Sequence, residues 1–266
     1  MTKEKALKLQ AKKHLQNNWP AAVGATITVG IALMATIYTA MTICIYILKA
    51  FTADSRNLTE ENTSLMLVIM LCTFILALSL TLPLIMGLVR FCYLLSKNSF
   101  CDYSQVFYYV SKGRYFRTIG ITALLIFRHL WQALLSFLPA AICLLRAWSM
   151  SLEKSNVDFD TILWYYIGYA LLFGGILFFY VITKQNFLAI YFYIENDILN
   201  TSEICALSQR ATFRFQRDIN NLIISLFPMM LLCILIIPAI FVIPYVLVTQ
   251  ATSAKWMIAL SNKEAN

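Results

Sequence analysis

The chain has 266 residues, of which 60% are hydrophobic and only 13% are charged, and its formal net charge is +8. Soluble globular domains carry about 25% charged residues, so this composition excludes an ordinary water-soluble protein. Most of the lysines and arginines flank apolar blocks, where such charges set topology and contact anionic lipid headgroups. That placement differs from the basic face of a nucleic-acid-binding protein, and we expect no nucleic-acid partner.

The apolar residues form blocks long enough to cross the hydrocarbon core of a bilayer, which takes about 20 residues in a helix. Backbone groups in lipid must be satisfied within their own segment, which favours helices. The sequence therefore predicts an all-α fold, a polytopic bundle of about six transmembrane helices in a single membrane domain, 1–266. The predicted spans are 21–48, 65–95, 118–145, 161–183, 222–237 and 241–258.

The polar segment 2–17 has helical spacing. Four apolar residues recur at every fourth position, and three lysines occupy another face. The apolar residues are Leu7, Ala11, Leu15 and Trp19, and the lysines are Lys5, Lys8 and Lys12. This pattern predicts a helix lying in the membrane interface, with its lysines toward anionic headgroups.

Two further cytoplasmic segments have a similar character. A short helix is predicted within 98–117, capped by Ser104 and closed by Gly113. The segment 202–217 combines an apolar stripe with arginines that we expect to contact lipid headgroups or a protein partner. The stripe is Ile204, Leu207, Ala211 and Phe215, and the arginines are Arg210, Arg214 and Arg217. Each of the three amphipathic segments precedes a pair of spans. We therefore state the hypothesis that the chain is a three-unit pseudo-repeat, each unit being one such segment followed by two spans.

Two prolines predict specific features of the spans. Pro83, with Gly87, predicts a kink in the second span, and Pro238 predicts the turn between the fifth and sixth spans.

Orientation follows from the basic residues in short loops. With the N-terminus inside, sixteen lysines and arginines fall in inner segments and four in outer segments. The sequence thus predicts a multi-pass membrane protein with both termini in the cytoplasm.

Arg128 and His129 are the candidate ligand-binding residues, because ionisable groups deep in a membrane are costly and usually functional. Two positions remain open. If the third span starts near residue 118, Arg128 lies near mid-membrane, with the hydroxyls of Tyr165 and Tyr169 or an anion as its partners. If the span runs over 130–146, Arg128 lies at the inner interface and snorkels. No carboxylate occurs in the apolar blocks, which disfavours a proton- or sodium-coupled carrier.

The chain contains no common hydrolase, metalloprotease or P-loop motif and no paired-cysteine metal spacing. We therefore expect neither enzyme activity nor a cofactor or metal. The expected function is a non-enzymatic component of a transport or envelope system. A carrier or channel for small anionic or lipid-like molecules is the alternative.

Four stretches, AKKHLQNNW (11–19), LPLIMGLVRF (82–91), YIENDILNTSEICALSQRATFRFQRD (193–218) and IPYVLV (243–248), carry a resemblance across nearly the whole chain. They resemble a family of bacterial six-span membrane proteins known as a domain of unknown function. That family is distantly similar to the membrane domain of some glycerophosphodiester phosphodiesterases. The resemblance implies the six-span fold and brings no activity with it.

Overall fold

The computed structural model describes residues 2–53, 60–97, 101–111, 113–153, 158–196 and 199–265. Within these ranges the chain is helical and contains no strand, which confirms the all-α prediction. The α-helices are α1 Lys3–Gln16, α2 Trp19–Ala53, α3 Glu60–Lys97, α4 Tyr108–Ser111, α5 Tyr115–Glu153, α6 Phe159–Thr183, α7 Ala189–Glu195, α8 Thr201–Arg214, α9 Gln216–Leu232 and α10 Ile236–Ala265. Short 3-10 helices cover Tyr103–Phe107 and Lys184–Asn186.

Five segments of the described chain are long and apolar enough to cross a membrane. They are Trp19–Ile47, Leu67–Lys97, Tyr115–Leu152, Phe159–Glu195 and Ile237–Ser261. The predicted span 222–237 does not form one such helix. It includes the later part of α9, the turn at 233–235 and the start of α10.

The turn that ends α9 lies at residues 233–235, ahead of Pro238 rather than at it. The amides of Cys233, Ile234 and Leu235 donate to carbonyls three residues earlier, which tightens the chain there. Pro238 falls in the first turn of α10, where a missing N–H costs no helical hydrogen bond. Pro83, in contrast, lies inside the unbroken helix α3.

The described chain divides by internal packing into two compact units, residues 1–120 with 217–266, and residues 121–216. In the first unit, α1 packs on α10 and α3. Ala11 and Leu15 are fully buried in a cluster with Phe91 and Val248. The prediction of a helix at 2–17 is confirmed, and other helices cover its apolar stripe at these two positions.

A close approach to α3 positions the 3-10 helix Tyr103–Phe107 in the same unit. A Cβ atom at Gly87 would lie 1.8 Å from the carbonyl oxygen of Val106, so only glycine fits there. The predicted short helix is present, but Asp102 rather than Ser104 caps it, by accepting a hydrogen bond from the Ser104 amide. Gly113 adopts a φ of 68°, as expected for a residue that ends the segment.

The second unit contains the α5–α6 pair, α7 and α8. Asn200 and Glu203 form a capping box at the start of α8, which the sequence analysis missed. Ile204, Ala211 and Phe215 of the predicted apolar stripe are buried. Leu207 is exposed, and the fully buried Ser208 lies on that face instead, where its hydroxyl donates to the carbonyl of Gln185 at 2.9 Å.

Candidate functional site at the end of α6

The helices α5 and α6 pack in antiparallel register through two glycines. A Cβ atom at Gly175 would lie 2.4 Å from the carbonyl oxygen of Ser136, and one at Gly168 would lie 2.6 Å from a methyl carbon of Leu144. Small residues of this kind let membrane helices approach closely. A third pair agrees with this register, since the Arg146 guanidinium lies 4.7 Å from the centre of the Trp164 ring.

This register shows where Arg128 lies along the α5–α6 pair. Arg128 precedes Ser136 by eight residues and Thr183 follows Gly175 by eight, so Arg128 is level with the last residue of α6. Arg146 lies 18 residues further along α5, about 27 Å at 1.5 Å per residue. That spacing is close to the roughly 30 Å thickness of a hydrocarbon core. This spacing is what the interface position of Arg128 requires, and that position stays a prediction.

The predicted partners of Arg128 lie at the other end of this pair. Tyr165 and Tyr169 stack on each other, with ring centres 6.4 Å apart. They lie near the level of Arg146. The antiparallel register therefore separates them from Arg128 by most of the helix length. His129, next in sequence, is half-buried, and its Nδ1 lies 2.6 Å from the carbonyl oxygen of Leu125. The structure does not bring these four candidates into one site.

A cavity of about 480 Å³ opens where α6 ends, between the 3-10 helix Lys184–Asn186 and α8. Two basic residues, Lys184 and Arg210, contribute to its lining. The remaining lining residues are the amides Gln185, Gln209 and Gln216, the hydroxyl-bearing Thr212, and Phe213. None of the seven is acidic, and the volume is within the range of about 300–1,000 Å³ found for small-molecule sites.

Two of these polar side chains are buried rather than solvated. Lys184 is 7% exposed and Thr212 is 1% exposed. The Lys184 ammonium lies 5.5 Å from the centre of the Tyr180 ring, within cation–π range. The Thr212 hydroxyl has no hydrogen-bond partner in the part of the chain that the structure describes. Buried hydroxyls are normally paired, so this group is available to a ligand.

Of the lining residues, only Arg210 is a candidate from the sequence, as one of the arginines of the segment 202–217. Gln209 and Thr212 were missed, although their i, i+3 spacing places them on one face of α8; Gln216, also missed, is the first residue of α9. Arg214 and Arg217, the other two arginines of that stripe, are exposed and outside this lining.

The N-terminal lysines have different surroundings. Lys5 and Lys12 are exposed, as expected for residues that contact lipid headgroups. Lys8 instead donates a hydrogen bond from its ammonium to the carbonyl oxygen of Ser225 on α9, at 2.8 Å. Its charge is therefore used at least partly within the protein.

Among the described residues no cluster of three or more histidine, cysteine or acidic side chains could hold a metal ion. Comparison with family models, with curated proteins and with solved structures found no match for the chain. The long apolar helices alone place it in a class, that of α-helical multi-pass membrane proteins.

Proposed function

We propose that the protein is a non-enzymatic component of a transport or envelope system in the bacterial cytoplasmic membrane, with both termini in the cytoplasm. The observation that carries the proposal is the apolar surface of α2 and α3. Met34 and Tyr38 on α2 and Leu71 on α3 are 60–73% exposed, each on a segment able to span a membrane. Such a surface requires either lipid or the helix of another membrane protein.

An apolar groove beside α2 supports the proposal of a protein partner. This groove, of about 690 Å³, runs along α2 from Thr26 to Tyr38 and faces Ala239 and Ile243 of α10. Gly30 lies in it, and a Cβ atom there would meet nothing within 4 Å. A small residue facing open space lets the backbone of another transmembrane helix approach closely.

The test is photo-crosslinking in native membranes, with a photoreactive amino acid at Met34 inside the groove. The matched control carries it at Phe173, which is similarly exposed, at 65%, on the membrane-spanning helix α6. We expect a discrete protein adduct from position 34 only, and mass spectrometry of the adduct would identify the transport or envelope component. Lipid adducts alone at both positions would contradict the proposal.

One observation favours the alternative of a carrier or channel for small anionic or lipid-like molecules. Gln132 and Ser136 are buried polar residues on α5, one and two turns beyond Arg128 toward the middle of the helix. The Gln132 side-chain oxygen has no partner among the described residues. Uptake of labelled phosphate into proteoliposomes, lost on replacing Gln132 with Leu, would support this alternative over the first.

A further inference from the structure

The cavity at the end of α6 has the chemistry of an anion site. Lys184 and Arg210 supply positive charge, and ammonium and guanidinium groups are donors only. The glutamine amides and the Thr212 hydroxyl add further donors, while none of the lining residues that the structure describes is acidic. Hydrogen bonds from arginine or lysine to phosphate are about twice as strong as those between neutral groups. A cationic ligand would meet two like charges with no compensating carboxylate.

Burial distinguishes this cavity from an ordinary basic surface. Lysines on a membrane-facing helix normally extend their ammonium groups into water. Lys184 is instead 7% exposed beneath α8, and Thr212 lies beside the same space with its hydroxyl unpaired in the described chain. A bound anion would accept a hydrogen bond from the Thr212 hydroxyl and place a negative charge beside the buried Lys184 ammonium, which offsets part of the cost of burying these groups.

The position of the cavity indicates how the anion is presented. It lies where α6 ends, level with Arg128 on α5. Phe213 forms an apolar wall of the cavity and is 82% exposed. An apolar wall beside a basic pocket at this level suits a molecule with both a charged group and an apolar part.

We propose that this cavity binds a phosphate group at the membrane interface, held by Lys184, Arg210 and Thr212. The phosphate comes either from the headgroup of an anionic phospholipid or from a soluble phosphate. The site is independent of the α2 groove, so loss of phosphate binding would leave the crosslinking result at Met34 unchanged.

The test uses the full chain in phosphatidylcholine nanodiscs. Phosphatidic acid is added to the nanodiscs in one arm, with retained lipid measured by native mass spectrometry. Inorganic phosphate is titrated calorimetrically in the other. Binding of phosphatidic acid alone assigns the site to a lipid headgroup, and binding of inorganic phosphate as well assigns it to a soluble anion. Binding in neither arm overturns the proposal.

The variants are Lys184→Gln, Arg210→Gln and Thr212→Val. Each charge removal should lower the affinity about tenfold or more, since hydrogen bonds to charged groups contribute that much. Thr212→Val keeps the side-chain shape and removes an unpaired hydroxyl, so it should fold even if Lys184→Gln does not. We expect it to lower the affinity about threefold or more.

The matched control is Arg214→Gln, which removes the same charge one turn along α8 and outside the cavity. General attraction to an anionic surface amounts to about fivefold per basic residue, and it would weaken equally in Arg210→Gln and Arg214→Gln. An equal loss in these two variants would refute a built site, whereas a loss confined to the cavity residues supports it.

Discussion

Gly175 of α6 lies directly against the backbone carbonyl of Ser136 on α5, so that even a methyl group at position 175 would come within 2.4 Å of that oxygen. The carbonyl belongs to a helix and cannot move without displacing it. This contact fixes the register of the two helices and, through it, the level of Arg128 and of the cavity.

Gly175→Ala should therefore destabilise the protein by about 1–3 kcal/mol, as overpacking in a close-packed interface does. The neighbouring Gly174 is the control, because a Cβ atom there meets nothing within 4 Å. Gly174→Ala should be neutral or slightly stabilising, since alanine favours the helix. Thermal unfolding of both variants in detergent measures the difference, and equal midpoints would show that the interface is looser than described.

Gly87→Ala should release the 3-10 helix Tyr103–Phe107 from α3. The added Cβ would lie 1.8 Å from the Val106 carbonyl oxygen, so the alanine side chain fits only if that backbone is displaced. We expect a loss of about 1–3 kcal/mol in stability and faster protease cleavage near residue 103. Gly120→Ala, at a position with nothing within 4 Å, provides the control and should behave like the unsubstituted protein.

Arg128 and Arg146 should be reached from opposite sides of the membrane. Single cysteines at these positions, in a background with the seven native cysteines replaced, can be tested with an impermeant maleimide. Position 128 should react in inside-out vesicles and position 146 in intact cells, and a cysteine at Leu138 between them should react in neither. Labelling of position 128 from neither side would restore the mid-membrane position.

Stability should fall as the pH drops below about 6.5, because His14 resists protonation in the folded protein. Burial lowers the pKa of His14 below its ordinary value of 6.5, and the charges of Lys255 and Lys13 lower it further. Below 6.5 the unfolded chain binds a proton that the folded chain does not, so protonation favours unfolding. The unfolding temperature should decrease between about pH 7.5 and 5.5, and less steeply in His14→Gln. Identical slopes would remove His14 from the explanation.

The class of the protein could be predicted from sequence because its causes are local. A block of about 20 apolar residues must be solvated by lipid, and its backbone groups must be paired within the block. The bounds of the predicted spans 21–48, 65–95 and 161–183 accordingly lie within a few residues of the ends of the helices α2, α3 and α6. The helix at 2–17 was equally readable, since its spacing of apolar residues is a local property.

The boundary between α9 and α10 was harder to predict from sequence. Two prolines lie near it, and a proline can stand in a turn or in the first turn of a helix. Pro238 is compatible with a turn or with the first turn of a helix. The tight hydrogen bonds at 233–235 decided between these, and they depend on how the preceding helix ends rather than on the proline itself.

The sequence by itself determined that this chain is a helical membrane protein, because helix length and apolar composition are fixed residue by residue. Only the tertiary structure decided which surfaces meet. It covered Ala11 and Leu15 with protein, brought Arg128 level with the end of α6, and placed Lys184 and Arg210 beside one cavity. Such pairings depend on helix register, which is set by contacts such as that of Gly175 with Ser136 between residues far apart in the chain.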